Sequence, residues 1–360
     1  MGLPFINSGR RRRDQIVAID VGGRTTKAVS LQRRSESFQL LNYALVDTPG
    51  GEKALTSSGL SDHLKSVARL VGCGKGTSVT LSIGVTDVLF RQVELPLMPA
   101  ADVRLMLKYN SKNYLQQDLP DYVFDCNFVA MNPMAAGHGA EPAKPASGAA
   151  KHKAIVGGAK RQFVEGLLAA IKEAGLVADQ IVPGMVGPIN SFELAEPEIF
   201  FKEVAALVDI GFKTSTINIL DHGEIILNRV VNVGGDHLTT GVAEMLGVTY
   251  DVAEKMKIEG AAEACQHLDH FLQPLGRELR ASIDFFENQR DKTIGQVFVS
   301  GGSARSDALL EVLQNQLMVP CKRWNPAKSV ALDLPPEKMG EIEQLLPQLT
   351  VAFGAASTGF

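Results

Sequence analysis

The chain is poor in the residues that would indicate a metal, redox or membrane protein. It has 4 cysteines among 360 residues, and they are far apart, with no CxxC pair. This spacing argues against a zinc site and against a disulfide framework, and we expect reduced cysteines in a cytoplasmic compartment. No run of about 18 consecutive apolar residues is present, so the sequence offers no membrane-spanning helix.

The chain also lacks a large net charge of either sign. The formal net charge is −4, which gives no reason to expect a nucleic-acid partner. Residues 1–13 end in four arginines, but an aspartate and a short apolar strand follow them, so this segment is not a secretory signal. We expect a flexible basic tail there, and contact with anionic lipid is the less favoured alternative.

Two familiar nucleotide-binding motifs are absent. The segment 72–76 reads Gly-Cys-Gly-Lys-Gly, but it lacks the GxxxxGK[ST] spacing of a P-loop. It also fails the GxGxxG pattern, because position 77 is threonine. We interpret it as an ordinary turn.

What the chain does contain is a duplicated turn. The Asp-x-Gly of Asp20 recurs 189 positions later at Asp209, each time after an apolar run and before a second strand-like stretch. Glycines let the backbone bring its N–H groups close to a phosphate, and a magnesium ion held mostly through water would offset the repulsion between aspartate and phosphate. Ordinary hairpin turns are the alternative, but the duplication, with matching hydroxyl residues after each glycine, favours a polyphosphate site. The residues predicted to bind the nucleotide here are Gly22, Gly23, Arg24, Thr25, Thr26, Lys27, Gly211, Lys213, Thr214 and Ser215, with Asp20 and Asp209 holding the metal.

Two Gly-Gly turns extend this prediction. The strand 296–299 runs into a Gly-Gly-Ser turn before a helix, and ligands of open α/β sheets lie beyond the carboxyl ends of strands. A tight strand-to-helix turn is the alternative. Another Gly-Gly pair precedes the helix predicted from residue 237, where backbone amides can meet a phosphate. The residues added to the site are Gly234, Gly235, Gly301, Gly302 and Ser303.

These motifs resemble the two phosphate motifs and the adenosine motif of the actin-like ATPase superfamily, which includes actin, sugar kinases, FtsA and MreB. The segment 253–258 is similar to the Ala-Glu-x-x-Lys helix of FtsA and MreB. The resemblance implies that Glu254 and Lys257 contact the ribose and base of the nucleotide, with a surface charge pair as the alternative. Arg24 stands where serine is common in these relatives, so it either reaches the nucleotide or is solvated.

The closer resemblance is to the PilM family of type IV pilus assembly. It extends over residues 15–359 and rests on four segments in the same order, 93–99 with the helix up to 115, 171–176, 277–286 and 349–356. It implies an α/β fold of the actin-like ATPase type, a duplicated RNase H-like fold with two lobes and an FtsA-type subdomain 1C. Both halves also begin with a hairpin and continue as alternating helices and strands, which is typical of α/β sheets. The expected subdomains are 1A (14–87, 153–200 and 340–360), 1C (88–152, with a flexible low-complexity loop at 132–152), 2A (201–235 and 294–339) and 2B (236–293).

The resemblance also implies a function and a partner. We expect a cytoplasmic, ATP- and magnesium-binding component of a type IV pilus, or related type II secretion, platform at the inner membrane. Its expected partner is the N-terminal cytoplasmic peptide of a PilN-like membrane protein, docked near 1A and 1C, which would make the protein peripheral to the membrane. Motor components of the pilus machine stay open as further partners. Apolar and aromatic residues of the helix 105–114 are candidates for the groove, and burial within 1C is their alternative.

Hydrolysis needs a group that positions or deprotonates water. Actin relatives carry it after a strand of the first domain, and the matching segment here, 157–162, has no carboxylate. Gln162 is the weak catalytic candidate that remains, with a helix-surface position as the alternative. We therefore expect slow turnover, with the nucleotide state tuning partner binding. Two alternatives stay open. One is an FtsA- or MreB-like filament protein, although an FtsA-like protein usually carries a C-terminal amphipathic anchor and residues 357–360 do not read as one. The other, less favoured, is a small-molecule kinase, which should offer a catalytic carboxylate.

Overall fold

The fold is that of a computed structural model, which describes residues 14–34, 37–50, 59–129 and 151–359. The expected tail at 1–13 and positions 132–150 of the expected loop lie outside these residues. The described strands are β1 (Gln15–Val21), β2 (Thr25–Arg34), β3 (Ser37–Asp47), β4 (Ser78–Ile83), β5 (Val88–Pro96), β6 (Tyr122–Phe128), β7 (Lys151–Lys160), β8 (Val177–Pro183), β9 (Val204–Ile210), β10 (Ser215–Asp221), β11 (Glu224–Val231), β12 (Val297–Ser300), β13 (Cys321–Arg323) and β14 (Val330–Leu332). The described helices are α1 (Leu60–Leu70), α2 (Ala100–Leu115), α3 (Arg161–Glu173), α4 (Gly187–Ala195), α5 (Pro197–Lys202), α6 (Gly235–Leu246), α7 (Tyr250–Glu259), α8 (Ala262–Arg290), α9 (Asp307–Leu317), α10 (Pro336–Met339) and α11 (Ile342–Ser357).

The first sheet has the strand order β14-β3-β2-β1-β4-β8. β1 to β3 form an antiparallel meander, and β4 and β8 continue parallel to β1. Both faces of β1 are buried, because α1 and α3 pack on one face and α11 on the other. A strand covered on both faces reads as a continuous apolar run, which explains the apolar residues before Asp20.

The second sheet repeats this plan with the order β11-β10-β9-β12-β13. β9 to β11 form the antiparallel meander, and β12 and β13 run parallel to β9. Helices α6 to α9 cover one face, while α4 and α5 cover the other. The five strands thus match β3-β2-β1-β4-β8 in order and direction, so the duplication read from the two turns extends to both sheets.

The third sheet, β5-β7-β6, is small and carries α2 on one face. Residues 151–159 of β7 pair with β5, and residues 154–160 pair with β6. The boundary expected between 152 and 153 is therefore wrong, because it falls inside a strand that pairs with β5 without interruption. The shift in composition at 152 marked the end of a low-complexity segment rather than the end of a structural unit. β14 also pairs with β3, which places residues 330–332 in the first sheet instead of with 2A.

Two helices cross closely beneath the first and second sheets. α11 begins at Ile342 and packs against α4. The helices meet at two glycines: a Cβ added to Gly354 would lie 1.9 Å from the carbonyl oxygen of Gly187. No helix in the described part of the chain is long and apolar enough to cross a membrane.

Candidate functional site

A cavity of about 390 Å³ is lined by both Asp-x-Gly turns. The turn after β1 and the turn after β9 reach it together with the loop after β12 and the start of α6. The structure therefore brings together most of the residues that the sequence singled out. Those that line the cavity are Asp20, Gly22, Gly23, Arg24, Thr25, Lys27, Asp209, Gly211, Lys213, Thr214, Gly235, Glu254, Gly301, Gly302 and Ser303.

Three adjacent strands of each sheet place a matched set of side chains next to this cavity. In both sheets the aspartate is the last residue but one of its strand, β1 or β9. The residue seven positions later lies opposite it on the hairpin partner, and a serine lies beside it on the parallel strand. Side chains at paired positions point to the same face of a sheet. We call Lys27, Asp20 and Ser82 the first row, and Thr216, Asp209 and Ser300 the second row.

The first row contains its own cation. Lys27 Nζ lies 3.2 Å from Asp20 Oδ2, so the ammonium group partly neutralises that carboxylate. The turn has to be glycine at position 22, because an added Cβ would lie 2.6 Å from Lys27 Nζ and 2.6 Å from the carbonyl oxygen of Thr25. This close approach of backbone and ammonium creates a positive edge that suits an anion.

The second row has no cation of its own. Ser300 Oγ donates a hydrogen bond to Asp209 Oδ1 at 2.8 Å. Burial is the largest influence on Asp209 and raises its pKa to about 6; the Ser300 hydrogen bond and the charge of Lys27 lower the pKa, and the charge of Asp20 raises it. The two aspartates therefore interact across the cavity, and a cation placed near them would stabilise both.

The amides at the start of α6 hold the second turn. Gly235 N donates to the carbonyl oxygen of Gly211 at 2.8 Å, and Asp236 N donates to that of Phe212 at 2.9 Å. Gly234 does not line the cavity; a Cβ there would lie 2.3 Å from the Phe212 carbonyl oxygen. The expectation that these helix amides meet a phosphate directly is therefore wrong, since their hydrogen bonds fix the turn instead.

Two predicted hydroxyl ligands face away from the cavity. Thr26 is buried, and its Oγ1 lies 2.7 Å from His63 Nε2 and 2.9 Å from Thr48 Oγ1. Ser215 is buried too, and its hydroxyl donates to the carbonyl oxygen of Val233 at 2.6 Å. Successive residues of a strand point to opposite faces, so only one of two adjacent hydroxyl residues can reach the site.

Lys257 is also behind the cavity wall rather than in it. Its side chain is 1% exposed, and Nζ donates to Glu254 Oε2 and to Thr239 Oγ1, both at 2.7 Å. Burial lowers the pKa of Lys257 and Glu254 opposes that shift. Glu254 lines the cavity, and Lys257 contacts Glu254 from the buried side. The expected role of Lys257 as a direct nucleotide ligand is therefore corrected.

The catalytic position expected at Gln162 is wrong for a topological reason. Gln162 is exposed at the start of α3 and does not line the cavity, because the preceding strand, β7, belongs to the third sheet. The strands of the first sheet that end at the cavity beside β1 are β4 and β8. Residues 83–87 after β4 and Gly184 after β8 line it.

Arg24 crosses the cavity from the first turn to the second lobe. Its Nη1 lies 3.3 Å from the hydroxyl of Tyr250 and 3.9 Å from Glu254 Oε2. The guanidinium carbon is 5.1 Å from the ring centroid of Tyr250 and 5.9 Å from that of Phe212. Cation–π contacts of this kind contribute little free energy when they are partly exposed. Arg24 therefore forms a weak contact between the two halves.

Comparison with known proteins decides the family. The family model for the type IV pilus assembly protein PilM matches residues 18–360, nearly the whole chain. The chain belongs to the PilM family. The resemblance read from the sequence is thereby confirmed.

Solved structures show the fold of this PilM family member. A PilM–PilN type IV pilus biogenesis complex matches with a TM-score of 0.77 at 20% identity, covering 97% of this chain and 99% of that chain. The ethanolamine utilization protein EutJ from Carboxydothermus hydrogenoformans matches with a TM-score of 0.52 at 13% identity, covering 98% of this chain and 92% of that chain. The expected actin-like ATPase fold is confirmed.

Several cavity residues of this PilM family member carried no signal that was recognised in the sequence. They lie at the end of β3, in β10, in the loops after β4, β8 and β12, at the start of α7 and in α11, and they include Asp47, Thr48, Asp87, Gly184, Thr216, Tyr250, Arg305 and Gln348. Thr216 was detectable in principle, since it lies seven positions after Asp209 as Lys27 does after Asp20. The others are brought in by long-range packing.

Proposed function

We propose that the cavity binds ATP with a magnesium ion. The observation that carries this proposal is the convergence of both Asp-x-Gly turns on one cavity in a PilM family chain. A volume of about 390 Å³ falls within the roughly 300–1,000 Å³ of small-ligand pockets. The positive edge at Lys27 and the glycine amides suit the phosphates, and Gly301 to Ser303 offer an open backbone surface to the base.

The donor set fits magnesium rather than a metal held by protein alone. No cluster of three or more His, Cys, Asp or Glu side chains that could hold a metal exists in the described residues. Magnesium keeps several waters and usually takes one or two carboxylates together with substrate phosphates. Asp20 and Asp209 would hold it, mostly through water, and it would supply charge neutralisation for the phosphates.

Slow hydrolysis is part of the proposal. The cavity carboxylates Asp20, Asp209 and Glu254 are each engaged by donors of the chain, as described above. Asp47 and Asp87 also line the cavity but are exposed to solvent, and a solvated carboxylate lacks the water-excluded setting that strengthens catalysis. We expect the nucleotide to act mainly as a conformational cofactor.

For the partner, we propose the N-terminal cytoplasmic peptide of a PilN-like inner-membrane protein. The support is the match to a PilM–PilN complex, and binding of this kind would place the chain at the cytoplasmic side of the inner membrane. The helix expected to supply groove residues has two faces: Leu107 is buried, whereas Leu105 and Tyr109 are exposed, as is Leu97 after β5. These three exposed side chains are the apolar surface that we assign to the peptide.

The proposed partner and surface can be tested by fluorescence polarisation. The probe is a labelled N-terminal peptide of the PilN-like inner-membrane protein. We expect saturable binding whose affinity changes when ATP and magnesium are added. Tyr109→Ala should weaken it by about 10-fold, the effect of an aromatic interface anchor. Phe285→Ala, on the exposed face of α8, is the matched control and should bind normally. Equal binding by both variants would contradict the assigned surface, and no binding by the wild type would contradict the proposed partner.

A further inference from the structure

Thr216 has a buried hydroxyl with no hydrogen-bond partner. The residue is 4% exposed, and its Oγ1 makes no hydrogen bond within the described residues. Leaving a buried hydroxyl unpaired costs stability, and such groups in native proteins call for an explanation. Among the buried side-chain groups without a partner in this part of the chain, that of Thr216 is the one that borders the cavity.

Three other buried hydroxyl groups of the second lobe have partners within the chain. Ser215 donates to the carbonyl oxygen of Val233, and Thr239 donates to that of Gly235. Ser300 donates to Asp209, whereas Thr216, which lies opposite Asp209 in the strand register, does not. Thr216 differs from these three residues because it borders the cavity and its hydroxyl has no partner within the described residues.

The duplication shows what this position faces. Thr216 in the second row occupies the place of Lys27 in the first row, seven residues after the aspartate and opposite it in the hairpin. Lys27 presents an ammonium group to the cavity, and Thr216 presents a neutral donor.

We propose that the Thr216 hydroxyl donates a hydrogen bond to the polyphosphate of the bound nucleotide, as the second-lobe counterpart of Lys27. The inference rests on the proposed nucleotide site and adds a binding residue to it. Phosphate oxygens only accept hydrogen bonds, and a hydroxyl has a donor to give. The cost of the unpaired group in the nucleotide-free protein is then recovered when the nucleotide binds.

The test combines calorimetric titration with Mg-ATP and thermal unfolding of the nucleotide-free protein. Thr216→Val removes the hydroxyl and keeps the shape. We expect about 10- to 100-fold weaker binding, as for loss of a hydrogen bond to a charged group, with a melting temperature no lower than that of the wild type. Thr216→Ser restores the hydroxyl and should restore most of the affinity.

Thr80→Val is the matched control, because Thr80 also has a buried, unpartnered hydroxyl but does not line the cavity. It should bind Mg-ATP like the wild type. If the wild type binds and Thr216→Val binds equally well, or if Thr216→Val binds more weakly but also melts lower and Thr216→Ser does not restore the affinity, the role of Thr216 is overturned while the nucleotide site stands. If the wild type gives no binding, both the site and this inference fail.

Discussion

Arg24 and Tyr250 contact each other across the cavity, with Arg24 Nη1 3.3 Å from the phenol oxygen. One residue belongs to the turn of the first sheet, and the other begins a helix that packs on the second sheet. The same guanidinium lies 3.9 Å from Glu254 Oε2. Because this contact joins the two halves at the wall of the cavity, we expect it to couple the first turn to α7.

Replacing Arg24 by serine should loosen α7. The variant loses the hydrogen bond and the cation–π contact, which together are worth about 1 kcal/mol at a partly exposed site. We expect faster amide hydrogen exchange over residues 250–260 of the nucleotide-free protein, measured by mass spectrometry. Identical exchange in the wild type and the Arg24 variant would show that the contact does not couple the two halves.

Stability should depend on pH through His63. Burial lowers its pKa, so the folded protein favours the neutral ring. The contribution of His63 to the free energy of unfolding is therefore fully present above the pKa of the unfolded state, about 6.5. It is lost as the pH falls through the lower pKa of the folded state. As the pH is lowered from about 7.5 to about 5.5, the melting temperature of the wild type should therefore fall relative to that of His63→Gln. The other histidines cancel in this comparison, and a difference that is constant with pH would contradict the argument.

We expect replacement of Lys257 to lower the free energy of unfolding rather than to act directly on nucleotide affinity. Lys257→Met leaves Glu254 without its cation in a partly buried place, which we expect to cost about 3 kcal/mol in free energy of unfolding. The double variant with Glu254→Gln should recover part of that loss, because no unpaired charge remains. Guanidinium denaturation measures both. A Lys257 variant with wild-type stability but reduced nucleotide affinity would restore the role of direct ligand.

The crossing of α4 and α11 should be intolerant of a single methyl group. In Gly354→Ala the new Cβ would meet the carbonyl oxygen of Gly187 at 1.9 Å, so the helices must separate. We expect a loss of about 1–3 kcal/mol and a fall of several degrees in melting temperature. Gly340→Ala has no atom within 4 Å of the added Cβ and should melt like the wild type. Equal melting temperatures would show that the crossing relaxes freely.

The part of the site that could be predicted from the sequence came from short local patterns. Each Asp-x-Gly turn is encoded by a short strand–turn–strand segment, and their similarity predicted a shared site before any long-range contact was known. The errors at Thr26 and Ser215 were avoidable, since strand alternation allows only every second residue to face the cavity. Thr214 and Thr216 are two positions apart and so face the same side, and the match of Thr216 with Lys27 in the duplication identifies it as a cavity residue.

Other features depend on packing that no local pattern reports. β7 looked like a strand of the first domain, but its partners are β5 and β6, so the catalytic position inferred from it at Gln162 was misplaced. The burial of Lys257 depends on the stacking of α7 behind α6, and a charged side chain on a helix gives no sign of this in the sequence. Both errors concern which elements become neighbours rather than which elements form.

The most direct test of the central claim is a crystal structure of the protein with magnesium and a non-hydrolysable ATP analogue. We predict density for the phosphates between the turns at Gly22 and Gly211, a hydrated metal ion near Asp20 and Asp209, and the base against Gly301 and Gly302. A cavity without nucleotide at saturating analogue concentration, or a nucleotide bound elsewhere on the chain, would contradict the account.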